Sequence, residues 1–85
     1  MTDREIIKAA GITTSDIARA LEISRLTVRK FLQEERDDMR PLYRLALVST
    51  LAAIRKALDN GELPMKERDL QRRAATLKSL VGTTA

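Results

Sequence analysis

The chain has 85 residues, 44% of them hydrophobic, and 16 Lys and Arg against 12 Asp and Glu leave a formal charge of +4. So short a chain makes one domain, residues 1–85, whose thin core a partner subunit would reinforce. With no Cys and no His, the usual zinc, haem and iron–sulfur ligand sets, thiol nucleophiles and a His general base are missing, so no metal, cofactor or catalytic residue is expected and an enzyme is the least favoured class.

Gly and Pro are scarce, three and two residues, and apolar positions recur at steps of three and four, which predicts an all-α chain of four or five helices without a sheet. Thr2 with Glu5 matches a capping box that opens a first helix, and Gly11 stops it. Within it Ile6, Ala9 and Ala10 form an apolar stripe with Ile7 beside it, and Arg4 and Lys8 lie on the wet side. A second helix, about 14 to 21, starts behind Thr13, with Asp16 reaching back to the cap's own amide. Glu22-Ile23-Ser24 separates it from a third, Arg25 to Leu32, capped by Ser24 and turning Val28, Phe31 and Leu32 inward.

Residues 33–40 are polar and read as a helix end and a loop. Pro41 then sits where proline is tolerated, in the first turn of a long helix running to Asp59, with Asn60-Gly61 as its stop. Pro64 is expected to open a last helix that runs to about Val81. In the long helix Tyr43, Leu47, Leu51, Ile54 and Leu58 form one stripe, but Leu42, Leu45, Val48 and Ala52 are apolar too. That is too wide for one neighbour and predicts burial on more than one side. Leu70, Ala74, Leu77 and Val81 form a narrower stripe on the last helix, with Leu63 and Leu80 adjacent. Tyr43 reads as a packing residue with a wet hydroxyl, and Arg68, Arg72 and Arg73 as surface cations, Asp69 pairing with Arg73 four residues on, against the alternative that the three arginines contact flanking phosphates.

Two short helices joined by a three-residue turn, the second with cations on its outer face, suit a duplex major groove. Ile17, Ala18 and Leu21, Ile23 from the turn, and Val28 with Phe31 are spaced to form one small core, in which a side chain larger than that of Ala18 would push the two helix axes apart. The stretch from Thr13 to Leu32, with its Asp16-Ile17-Ala18 start, its Leu21-Glu22-Ile23-Ser24 turn and its Thr27-Val28 pair, resembles the helix-turn-helix of bacterial and phage transcription regulators of the lac-repressor type. Where that family usually has Gly in the turn, this chain has Glu22; if the backbone is left-handed there, the difference costs roughly 1 kcal/mol.

Helical spacing puts Leu26, Arg29 and Lys30 on the side away from Val28 and Phe31, with Arg25 beside them. Arg25 and Arg29 carry the planar fork that pairs with guanine O6 and N7, Leu26 would meet a thymine methyl, and Lys30 suits a phosphate. The resemblance implies backbone-phosphate contacts from Thr13, Thr14, Ser24 and Thr27, which the helix dipoles would support. Taken alone, the cations of the third helix read first as the solvated face of an amphipathic helix; with the motif around them, double-stranded DNA is the expected partner. Single-stranded nucleic acid is disfavoured by the near absence of stacking rings, with only Phe31 and Tyr43.

One such motif touches few base edges, so a homodimer reading an inverted repeat is expected, with residues 1–33 binding DNA and residues 41–81 forming a helical hairpin for packing and dimerisation. Leu47, Leu51, Ile54, Leu58, Leu70 and Leu77 are the expected interface residues, against the alternative of a purely intramolecular bundle. Arg40-Pro41-x-Tyr43, followed by Ala46-Leu47 and Leu51-Ala52, is similar to the segment after the helix-turn-helix in small, dimeric phage repressors of anti-CRISPR operons. The function expected is a sequence-specific transcriptional regulator, most simply a repressor. The alternatives are the DNA-recognition subunit of a phage assembly, of small-terminase or transposition-accessory type, and a helical interaction module such as an antitoxin. No apolar run approaches the roughly 18 residues that span a bilayer, and the start Met1-Thr2-Asp3-Arg4-Glu5 is too acidic for a secretory signal, so a cytoplasmic location is expected.

Overall fold

Thr2 opens the chain's first helix with a complete capping box: the Glu5 amide donates to Thr2 Oγ1, and the Glu5 carboxylate accepts from the Thr2 amide. In the computed structural model, which describes residues 2–83 (the side chain of residue 83 excepted), this helix is α1 (Asp3–Ala9). It is followed by α2 (Thr14–Leu21), α3 (Arg25–Leu32), α4 (Pro41–Asp59) and α5 (Leu70–Thr83). The described residues contain no strand, and none of their helices is long and apolar enough to cross a membrane.

The five helices form a small bundle with a Cα radius of gyration of 11.8 Å. α5 lies against both α2 and α4, α1 against α4, and α3 against α2 and the start of the long helix. A single core joins them. Ile6, Ile7, Ala10 and Ile12 enter it from α1 and the turn after it, Ile17, Ala18 and Ala20 from α2, Val28 and Phe31 from α3, Leu47, Leu51, Ile54 and Ala57 from α4, and Ala74 and Leu77 from α5. Each fully buried large side chain among these contributes roughly 2 kcal/mol of transfer free energy. Leu21, Ile23, Leu32, Tyr43 and Leu58 pack against this core half-buried. Ala9, expected on the inner stripe of α1, is exposed, because the two turns of α1 present Ile6, Ile7 and Ala10 inward instead.

The last helix starts at Leu70 rather than at Pro64. Residues 62–69 are an extended connector, fastened where the Met65 amide donates to the Ala10 carbonyl at 2.9 Å and where Leu63 enters the core. The helix begins only where Asp69 supplies a cap, its Oδ1 accepting from the Arg72 amide at 2.9 Å.

Asp69 is therefore not the side-chain partner of Arg73. The Arg73 guanidinium instead reaches Asp16, with Nε 3.2 Å from both carboxylate oxygens and Nη2 2.7 Å from Oδ2, and it also donates to the carbonyls of Gly11 and Glu67. One cation thus ties α5, the connector and the turn before α2 to a carboxylate that is 1% exposed. Burial alone would push the Asp16 carboxyl up. The hydrogen bonds from Arg73 and Thr13 outweigh it and hold the group below the usual carboxylate range.

The expected interface residues Leu47, Leu51, Ile54 and Leu77 are corrected by the same packing. All four are buried within one chain, because α5 and α1 already cover that side of α4, and a side chain with no accessible surface cannot also meet a partner. Leu58 is half-buried against the same core, and of the six only Leu70 is exposed, at 54%. The apolar side chains that α4 leaves in solvent are Leu42, Leu45 and Val48.

Candidate nucleic-acid interface

Three polar residues set the α2–turn–α3 unit. Thr13 and Asp16 cap α2 reciprocally, the Asp16 amide donating to Thr13 Oγ1 at 3.1 Å and the Thr13 amide to Asp16 Oδ2 at 2.9 Å. Ser24 caps α3, accepting from the Thr27 amide at 3.1 Å. Between the helices Glu22 takes the left-handed conformation, φ 57° and ψ 43°, and the next amide, of Ile23, returns to the Ala18 carbonyl at 3.0 Å. Ala18, at 5% exposure, is part of the core.

Val28 and Phe31 are buried, at 0% and 1%, and they decide which way α3 faces. Its other side carries Arg25, Leu26, Arg29 and Lys30, all exposed. No ion pair with another described side chain holds Arg25, Arg29 or Lys30. Leu26 is 56% exposed, an apolar side chain in water among cations. Two arginines near this unit, Arg36 and Arg44, are engaged elsewhere. The Arg36 guanidinium stacks 3.7 Å over the Phe31 ring centroid and reaches Asp3 Oδ2 at 3.4 Å, and Arg44 donates to the Arg36 carbonyl at 2.9 Å.

The two flanks of α3 differ in charge. On one, Arg29 shares a cleft of about 380 Å³ with Thr13, Thr14, Arg4 and Lys8. This cleft combines the N-terminus of α2, two hydroxyl residues and three cations, a set that attracts an anion. Thr13 Oγ1 accepts from the Asp16 amide and so keeps its own proton to donate. On the other flank Lys30 and Thr27 border a cleft of about 470 Å³ with Glu34, Glu35, Asp37 and Asp38, whose carboxylates repel a phosphate. Ser24 Oγ and Thr27 Oγ1 lie 2.8 Å apart, so one of their two hydroxyl protons is already used within the pair.

The structure therefore brings Arg29 together with Thr13 and Thr14 and keeps Arg25 and Leu26 on the open face. It sets Lys30 and Thr27 against an acidic border. Arg4 and Lys8 were legible only as the wet side of α1, four residues apart; the fold brings them into one cleft with Thr13, Thr14 and Arg29. No protein-family model, curated protein or solved structure matches the chain.

Proposed function

We propose that the protein is a homodimeric, sequence-specific double-stranded-DNA-binding regulator that places α3 in the major groove of each half of an inverted repeat, most simply a repressor that occludes a promoter. One observation carries the reading: the side of α3 opposite its buried Val28 and Phe31 presents Arg25, Leu26, Arg29 and Lys30 to solvent with no protein ion-pair partner for the cations among the described residues. Arg25 and Arg29 match the paired acceptors of guanine, and Leu26 matches a thymine methyl. The cleft of Arg4, Lys8, Thr13 and Thr14 beside Arg29 suits the flanking phosphate. The bundle measures 33 × 26 × 23 Å, and a two-fold dimer of this kind would need its two α3 helices about one turn of B-DNA apart, ~34 Å.

The test is selection of bound fragments from a random duplex pool, followed by titration of the enriched site against random DNA at several salt concentrations. An enriched inverted repeat is expected, with log affinity falling linearly in log salt and a preference of at least ~10³ over random sequence. Equal binding of every sequence, or no binding that responds to salt, overturns the reading.

A further inference from the structure

The long helix has a face that nothing in the chain covers. Leu42 is 73% exposed, Leu45 64% and Val48 49%, and Ser49 and Ala52 are exposed beside them. Leu42, Leu45, Ser49 and Ala52 follow steps of three and four residues, so they form one seam along the helix. Charges of opposite sign bound this seam. Just before α4 come Asp37 and Asp38, and in its last turns come Arg55 and Lys56; all four are exposed and without an ion pair among the described residues, while the two cations at the start of α4 are engaged elsewhere, Arg40 over the Tyr43 ring at 5.9 Å and Arg44 with the Arg36 and Met39 carbonyls.

We infer that this face is the surface on which a second copy of the chain docks, with the two α4 helices antiparallel about a two-fold axis near Leu45 and Val48. The order of charges selects the direction. A parallel pair would set Asp37 and Asp38 against themselves and Arg55 against Arg55. An antiparallel pair centred between Leu45 and Val48 sets Asp38 of each copy opposite Arg55 and Lys56 of the other. It also lays Leu42 and Leu45 on the partner's Ala52, Ser49 and Val48. A two-fold contact must be complementary to itself, and this seam is so only in the antiparallel sense. Asp59 lies beyond the overlap, one turn after Lys56, and keeps that lysine as its neighbour. A 19-residue helix is about 28 Å long, and the small residues Ser49 and Ala52 let two such helices approach closely.

The inference gives the two-fold assembly of the proposed function its surface, in place of the stripe that α5 occupies, and it is read without DNA. Sedimentation equilibrium of the full chain in buffer should show a monomer–dimer equilibrium. Leu45→Glu, at a position outside the core, should shift it to monomer with unchanged helix content and a thermal midpoint that no longer rises with protein concentration. Asp38→Arg and Arg55→Asp should each weaken dimerisation about tenfold, and the two together should restore most of the loss. A monomeric wild-type chain, or a Leu45→Glu chain that dimerises as before, overturns the inference. A double variant no better than the singles overturns the antiparallel pairing. A dimer with these properties that binds no DNA would leave this interface standing and remove the proposed function, so the two failures are distinguishable.

Discussion

Glu22 is held at φ 57° and ψ 43°, where its Cβ crowds the backbone and a glycine would not. It is exposed and has no side-chain hydrogen bond or ion pair among the described residues, so no contact offsets the strain. Glu22→Gly is therefore expected to raise stability by about 0.5–1 kcal/mol, less than the full left-handed penalty because glycine also loses more backbone entropy on folding. Urea unfolding should show a higher midpoint at the same slope; a lower midpoint would mean that the Glu22 side chain makes a contact of its own. Asp16 and Arg73 give the opposite case, a buried pair in which each group depends on the other. Arg73→Met leaves the carboxylate uncompensated and should cost about 3 kcal/mol at neutral pH. The folded Asp16 carboxyl lies below its ordinary value, so its contribution is fully present above the unfolded value of about 3.9 and is lost as pH falls through the lower, folded one. Acid titration of stability should thus show a loss below about pH 4 in the wild type that is reduced in Arg73→Met; equal acid limbs in the two chains would show that Asp16 does not carry it.

Four helices end in the same way, with a left-handed residue followed by an amide that returns five residues: Gly11 then Ile12 to Ile7, Glu22 then Ile23 to Ala18, Glu34 then Glu35 to Lys30, and Gly61 then Glu62 to Ala57. Where glycine occupies that position the end of the helix is legible in sequence, and the stops of α1 and α4 are read from Gly11 and Gly61. The Glu22 end needed the resemblance to a helix-turn-helix, and nothing local marks Glu34 as left-handed. Starts were legible wherever a short polar side chain precedes an apolar run, as with Thr2, Thr13 and Ser24. Pro64 misled because proline opens helices and loops alike. The cap that starts α5 is Asp69, whose carboxylate was assigned to Arg73 four residues on when it bonds the Arg72 amide three residues on. Spacing alone does not distinguish a cap from an ion pair, since both join residues one turn apart.

At the scale of the whole molecule, hydrophobic periodicity fixed which side chains of α4 are apolar but not which stripe faces the chain's own core. Leu47, Leu51 and Ile54 and the stripe of Leu42, Leu45 and Val48 are equally apolar, and only the docking of α5 and α1 separates them. The cationic face of α3 was more legible, because Val28 and Phe31 are the only large buried side chains in α3 and the cations lie opposite them by helical geometry. Its surroundings were less so: the acidic cleft beside Lys30 is built from the stretch that follows α3, whereas the cationic cleft beside Arg29 joins α1 and the start of α2 to α3. This asymmetry gives the proposed interface its sharpest test. If α3 enters the groove as proposed, Arg29 meets a base edge, so Arg29→Ala should weaken binding to the selected site by about 1–3 kcal/mol and leave random DNA much less affected. Lys30 borders the acidic cleft, whose carboxylates offset its attraction for a phosphate, so Lys30→Ala should weaken selected and random DNA alike and lower the salt slope by less than one full contact. Both side chains are exposed, and neither substitution should move the thermal midpoint. Anisotropy titrations of both variants on both duplexes separate the two roles, and unchanged affinity in both would remove α3 as the reading helix.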